Sequence, residues 1–204
     1  MIVIVDYNMG NIGSVTNIIK KVGYTSVISA DVDVISQAEK IILPGVGSFD
    51  KAMQNLKDLN LIDVLNEKAL VQHTPFLGIC LGMQLLTKFS EEGNVNGLGW
   101  INATTKRFKL NNFPELKIPH MGWNEVEITN KHAICENLYD YARFYFVHSY
   151  HVVCEEEKNV LMKTKFGNEF ASGIINNNIL GVQFHPEKSH KFGMQLIKNF
   201  IEKC

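Results

Sequence analysis

Apolar residues in the first ninety positions alternate between two rhythms. Met1–Val5 is a β-branched run, Ile12–Val22 has apolar residues at helical spacing, and Thr25–Ser29 and Lys40–Leu43 are short and β-rich. Pro75–Ile79 forms an apolar strand between two stretches of helical spacing, Val64–Val71 and Leu81–Phe89. Strands alternating with helices predict a parallel α/β sheet.

Beyond Glu91 the pattern changes. Gly93, Gly97 and Gly99 open a region of shorter strand candidates at Trp100–Phe108, Glu125–Thr129 and Phe144–His148. These predict an antiparallel extension of the same sheet. From Val160 to Phe184, β-rich runs are divided by the turn signals Phe166-Gly167-Asn168 and Asn176-Asn177-Asn178. A closing helix over Lys191–Lys203 directs Phe192, Leu196, Ile197 and Phe200 inward. No linker, repeat or low-complexity tract interrupts the chain, so residues 1–204 read as one three-layer α/β domain with a mostly parallel open sheet.

Composition narrows the class without changing the fold. The 204 residues carry 20 basic and 21 acidic side chains, a net charge of −1, which gives no global attraction to nucleic acid or anionic lipid. The opening apolar run stops at Asp6 and lacks a basic flank, as expected of a cytoplasmic protein rather than one with a signal peptide or membrane span. Cys80, Cys135, Cys154 and Cys204 are scattered without a CxxC pair, arguing against a zinc site or disulfide framework.

The candidate chemistry lies in three segments. In Gly78-Ile79-Cys80-Leu81-Gly82 a cysteine stands between two glycines where a buried strand meets a helix, the setting of a strained nucleophile elbow whose helix terminus favours a thiolate. A buried cysteine packing as a small hydrophobe is the alternative. In Phe184-His185-Pro186-Glu187, His185 follows a β-rich run, within reach of a nucleophile, and Glu187 is placed to orient its imidazole. A surface turn with a chance H-x-E is the competing reading. The loop Pro44-Gly45-Val46-Gly47-Ser48 ends a strand and offers the Val46 or Gly47 N–H, with that of Leu81, to a developing oxyanion. It lacks the Gly-Lys-Ser/Thr ending of a phosphate loop, and Gly10-Asn11-Ile12-Gly13 lacks the register of a dinucleotide-binding turn.

Together these three motifs, in their order along the chain (Pro44–Ser48, Gly78–Gly82, Phe184–Glu187), resemble the signatures of class I (triad-type) glutamine amidotransferases. The resemblance implies a flavodoxin-like three-layer fold with Cys80 as nucleophile, His185 as base and then acid, and Glu187 as its orienting carboxylate. It places Gly47, Gln84, Ser149 and Tyr150 around the substrate L-glutamine and implies no metal or cofactor. Pro119-His120-Met121-Gly122-Trp123-Asn124, Tyr145-Phe146-Val147-His148-Ser149-Tyr150-His151 and Asp6-Tyr7-Asn8-Met9-Gly10-Asn11 narrow it to members that form a heterodimer with a (β/α)₈-barrel cyclase of histidine biosynthesis. By the same match, Asn11, Met121, Trp123, Tyr145 and Lys188 face that partner. A paralogue feeding ammonia to a sugar-modifying synthase is the alternative within the family. A cysteine peptidase or γ-glutamyl hydrolase on the same elbow, and a non-catalytic binding module, are the alternatives outside it.

Overall fold

The computed structural model describes residues 1–138 and 141–204. In its first half β1 (Ile2–Val5), α1 (Ile12–Lys21), β2 (Ser26–Ser29), α2 (Val32–Ser36), β3 (Lys40–Gly45), α3 (Phe49–Asp58) and α4 (Ile62–Asn66) follow in order. A π-helical turn, Glu67–Val71, leads from α4 to β4 (Phe76–Cys80), α5 (Leu81–Leu85), β5 (Thr87–Ser90) and β6 (Val95–Asn96). Then come β7 (Ile101–Arg107), β8 (His120–Glu125), β9 (Glu127–Ile128), β10 (Arg143–His148) and β11 (Tyr150–Cys154). The chain closes with β12 (Val160–Phe166), β13 (Asn168–Asn176), β14 (Ile179–Val182) and α6 (His190–Lys203).

The main sheet runs β2-β1-β3-β4-β14-β13-β11-β7-β5-β6, with β12 joined to β13 and β9 to β12. From β2 to β14 neighbours are parallel, and β14–β13–β11–β7 continue antiparallel. Strands β1, β4 and β14 are buried along their whole length because helices cover both faces. On one face α1 and α6 bury Val15, Ile18, Ile19, Leu196, Ile197 and Phe200, while Phe192 is only partly covered. On the other, Phe49, Ala52, Met53 and Leu56 of α3 pack with Leu61 and Leu65. The mostly parallel, three-layer α/β architecture is therefore as the alternation predicts. No helix among the described residues is long and apolar enough to cross a membrane.

Three local expectations need correction. The helical run Leu81–Phe89 ends at Leu85, and Thr87–Ser90 becomes strand β5. The carbonyls of Leu85 and Leu86 bond to Leu98 and Ile101 N–H instead of continuing the helix, and the Thr87 hydroxyl donates back to the Gln84 carbonyl at 2.8 Å. The run Phe144–His148 is not in the main sheet: β10 pairs only with β8, as a separate antiparallel ribbon. The run Glu125–Thr129 is split between β8 and β9, with Val126 buried at the break and its N–H bonded to the Ala142 carbonyl.

Candidate active site

Backbone sterics at the end of β4 explain the two glycines around Cys80. A Cβ on Gly82 would stand 1.8 Å from the Leu43 carbonyl oxygen, and one on Gly78 would stand 2.6 Å from the Gly82 carbonyl oxygen. Only glycine lets strand and helix approach this closely. Between them Cys80 adopts φ 55°, ψ −108°, a strained conformation for a residue with a side chain. The helix that follows, Leu81–Leu85, is barely more than one turn, so its dipole contributes less to a thiolate than the elbow pattern suggests. Burial pushes the thiols of Cys135 and Cys154 up to about 12 and that of Cys204 to about 11, leaving them protonated.

His185 leaves the end of β14, the strand beside β4, and its side chain is buried. Its Nδ1 lies 2.7 Å from Glu187 Oε1, also buried. A carboxylate only accepts, so Nδ1 carries the proton and Nε2 remains free to take one. Nε2 is buried with the Cys80 sulfur as its neighbour. Burial by itself would lower the His185 pKa; hydrogen bonding and charge from Cys80 and Glu187 outweigh it and raise it well above the usual imidazole value. The backbone is held as well: His185 N–H donates to the Tyr145 carbonyl at 2.9 Å, and Ser189 Oγ donates to the His185 carbonyl at 2.6 Å while accepting from Tyr145 N–H at 3.0 Å.

At the end of β3, Gly45 lies where a Cβ would meet Tyr7 Oη at 2.5 Å, and Gly47 has φ 111° with Met9 against its open side. This loop faces a cavity of about 320 Å³ at the carboxyl ends of β3, β4 and β14, lined by Val46, Gly47, Cys80, Leu81, Gln84, Ser149, Tyr150 and His185. Glu187 stands behind His185. Catalytic, oxyanion and substrate candidates from four segments far apart in sequence therefore share one concavity.

Three groups in or beside the cavity lie outside the elbow, the His185 segment and the Gly45–Gly47 loop. Glu92 supplies the acidic group of the lining; burial raises its pKa, partly offset by the Phe49 N–H that it accepts at 3.0 Å. Gln183 is buried between Gln84 and Cys80. Tyr7 is fully buried with its hydroxyl unpaired. The single signal available was position, since Gln183 stands two residues before His185 and Glu92 follows the strand after the elbow.

The five residues matched to a partner face cluster around the outside of this site. Trp123 of β8 is in register with Tyr145 of β10, Lys188 Nζ lies 5.7 Å above the Tyr145 ring, and the Trp123 ring stacks on His190 at 5.5 Å. Met121 and Trp123 are 62% and 39% exposed, a large apolar presence for a polar surface. Asn11 precedes α1, which packs against the Pro186–Lys188 turn.

A thiol, an imidazole held by a carboxylate and adjacent backbone donors are the parts of nucleophilic acyl transfer. The family model for class-I glutamine amidotransferases matches residues 3–204. The chain is 59% identical to the imidazole glycerol phosphate synthase subunit HisH 2 of Methanococcus maripaludis over the full length of both, and 48% identical to the protein of the same name from Pseudomonas aeruginosa over 99% of both. Among solved structures it resembles a glutamine amidotransferase with a TM-score of 0.76 at 18% identity, over 98% of this chain and 97% of that one. It also resembles PurLQS from Thermotoga maritima with a TM-score of 0.75 at 16% identity, over 98% and 96%. At such identities the structures speak for the fold, whereas the family model and the full-length relatives speak for kinship: this chain belongs to the class-I glutamine amidotransferases.

Proposed function

We propose that this chain is the glutaminase subunit of an imidazole glycerol phosphate synthase, hydrolysing L-glutamine and passing ammonia to a separate (β/α)₈-barrel cyclase in histidine biosynthesis. The observation that carries the reading is the convergence of Cys80, His185 with Glu187, and the Gly45–Gly47 loop on one cavity.

In this reading His185, whose raised pKa favours the imidazolium held by Glu187, carries the thiol proton on Nε2, and the Cys80 sulfur attacks the side-chain amide carbon of glutamine. The tetrahedral oxyanion is held by the Val46 and Leu81 N–H groups. As the C–N bond breaks, His185 returns the proton to nitrogen and ammonia leaves a Cys80 thioester. Water, deprotonated by His185, then cleaves the thioester to glutamate and restores the thiol. Gly47, Gln84 and the Ser149–Tyr150 backbone hold the α-amino and α-carboxylate groups, with Glu92 as the acidic partner for the ammonium. Ammonia released to bulk water would be protonated and lose its nucleophilicity, so a partner docked on Asn11, Met121, Trp123, Tyr145 and Lys188 receives it directly.

The experiment is Cys80→Ala in the complex. Glutamine-dependent synthesis is abolished and ammonia-dependent synthesis by the partner persists; unchanged use of glutamine overturns the nucleophile. The names of both relatives above carry the number 2, which supports a second reading, a paralogue serving a sugar-modifying synthase. Complementation of a histidine auxotroph lacking this subunit separates them: growth supports histidine biosynthesis, and failure with soluble protein supports the paralogue.

A further inference from the structure

The β8–β10 ribbon is joined to the cavity by a chain of hydrogen bonds whose two histidines, His120 and His148, have no part in the mechanism above. Asn124 Nδ2 lies 3.1 Å from His120 Nε2, His120 Nδ1 lies 2.9 Å from His148 Nε2, and His148 Nδ1 lies 2.7 Å from the Tyr150 carbonyl oxygen. Gln84 Nε2 donates to the same carbonyl at 3.0 Å and to Gln183 Oε1 at 3.1 Å, and Gln183 Nε2 donates to Cys80 Sγ at 3.7 Å. The path from the partly exposed ribbon to the sulfur is unbroken.

The direction of donation along it follows from elementary chemistry. A carbonyl only accepts, so His148 is protonated on Nδ1. Burial keeps both rings neutral, holding His148 down to about 3 and His120 down to about 4. His148 Nε2 therefore accepts, His120 donates to it from Nδ1, and His120 Nε2 accepts the Asn124 amide. One proton arrangement satisfies every member, which is the condition for a buried polar network to rigidify its surroundings. The rings are also clamped by stacking, His120 lying 4.7 Å from Phe146 and 4.2 Å from Phe166 between centroids. On the same ribbon Met121 and Trp123 face outward into solvent.

We propose that His120 and His148 are positioning residues for the glutamine site, fixing the Tyr150 carbonyl, and through it Gln84 and Gln183, to the ribbon that carries Met121 and Trp123. The substrate in this inference rests on the function proposed above; the proton arrangement does not.

Two experiments test it. Nitrogen-15 NMR of the histidine side chains in the isolated full chain should find both His120 and His148 as Nδ1–H tautomers, and His148→Phe should shift the His120 ring signals. An Nε2–H tautomer at either ring overturns the proposal. The second experiment is glutamine hydrolysis by the chain with its barrel partner. His120→Phe keeps the aromatic stack without either nitrogen, and kcat/KM falls about tenfold, the scale of one lost buried hydrogen bond. His120→Asn keeps a donor where Nδ1 stood and returns kcat/KM to within about threefold of wild type. Full activity in His120→Phe, or equal loss in both variants at equal thermal midpoints, overturns the proposal. Should His120→Phe fail to fold, Asn124→Ala cuts the first link at the ribbon edge; unchanged kcat/KM there is equally fatal, and a fall with the thermal midpoint unchanged supports it. If wild-type complex does not hydrolyse glutamine, the functional reading fails, and the tautomers still decide the hydrogen-bond chain.

Discussion

The two walls of the cavity are built by different physics. On one side β3, β4 and β14 meet the elbow through backbone contact so close that Gly78 and Gly82 admit no side chain, and Cys80 is held at positive φ by that packing. On the other side the β8–β10 ribbon is attached through side chains and one backbone bond: Phe144 stacks on Phe184, His148 bonds the Tyr150 carbonyl, Ser189 bonds Tyr145 and His185, and His185 N–H donates to the Tyr145 carbonyl. A wall made of backbone packing has one arrangement, because displacement means steric overlap. A wall held by stacked side chains and hydrogen bonds can shift by repacking, with each hydrogen bond given up costing about 1 kcal/mol. The proposed nucleophile, Cys80, sits on the first, and the exposed Met121 and Trp123 on the second, so whatever docks on them presses on the more compliant wall.

The largest effect that would sharpen this contrast is Glu187→Gln. An amide in place of the carboxylate fails to stabilise the imidazolium, and glutamine turnover is expected to fall by about 10³–10⁴ in steady-state assays with little change in KM. A fall below tenfold would remove Glu187 from the machinery. Next is Gly82→Ala, which forces a Cβ against the Leu43 carbonyl. Chemical denaturation should show a loss of about 3 kcal/mol or insoluble protein; a stable, active variant would show that the backbone wall yields. On the compliant side, Trp123→Ala is expected to weaken partner binding by about 2 kcal/mol in titration calorimetry while leaving the thermal midpoint of the isolated chain unchanged. Equal binding would place the partner elsewhere.

The pH dependence of stability tests the ribbon side by itself. Burial lowers His148 to about 3 and His120 and His151 to about 4, against about 6.5 in an unfolded chain. Between these limits the unfolded state binds more protons than the folded one, so stability falls as pH drops from about 6.5 toward 4. His148 alone contributes a slope of up to about 1.4 kcal/mol per pH unit. Thermal midpoints at pH 7, 6 and 5 measure it, and an unchanged slope in His148→Asn would assign the acid sensitivity to other groups.

How far the sequence was legible differs between the walls in the same way. The parallel core was readable because Ile2–Val5, Ile41–Leu43 and Phe76–Ile79 are apolar on both faces, a pattern with few alternatives. The elbow was readable because its glycines are a local steric demand. Helix α3 was not among the predicted elements, although Phe49, Ala52, Met53 and Leu56 repeat at helical spacing. The length of α5 was not legible: Leu85 and Leu86 have ordinary helical propensity, and Leu98 and Ile101 take their carbonyls from a distance. Nor was the separate ribbon, because an alternating strand reads the same in any antiparallel sheet.

By itself, then, the sequence determined the layered α/β class and which residues could do chemistry, Cys80, His185, Glu187 and the Gly45–Gly47 loop, since each depends on short-range patterns of burial, turn geometry and reactive groups. Tertiary structure alone decided that these three segments share one cavity, that Glu92 lines it while Gln183 stands behind Cys80, and that His120 and His148 form a neutral, directional pair. The physical reason is range: a motif encodes contacts a few residues apart, whereas His120 and His148 acquire their tautomers from partners brought together only when β8 and β10 pair and the ribbon closes over the sheet.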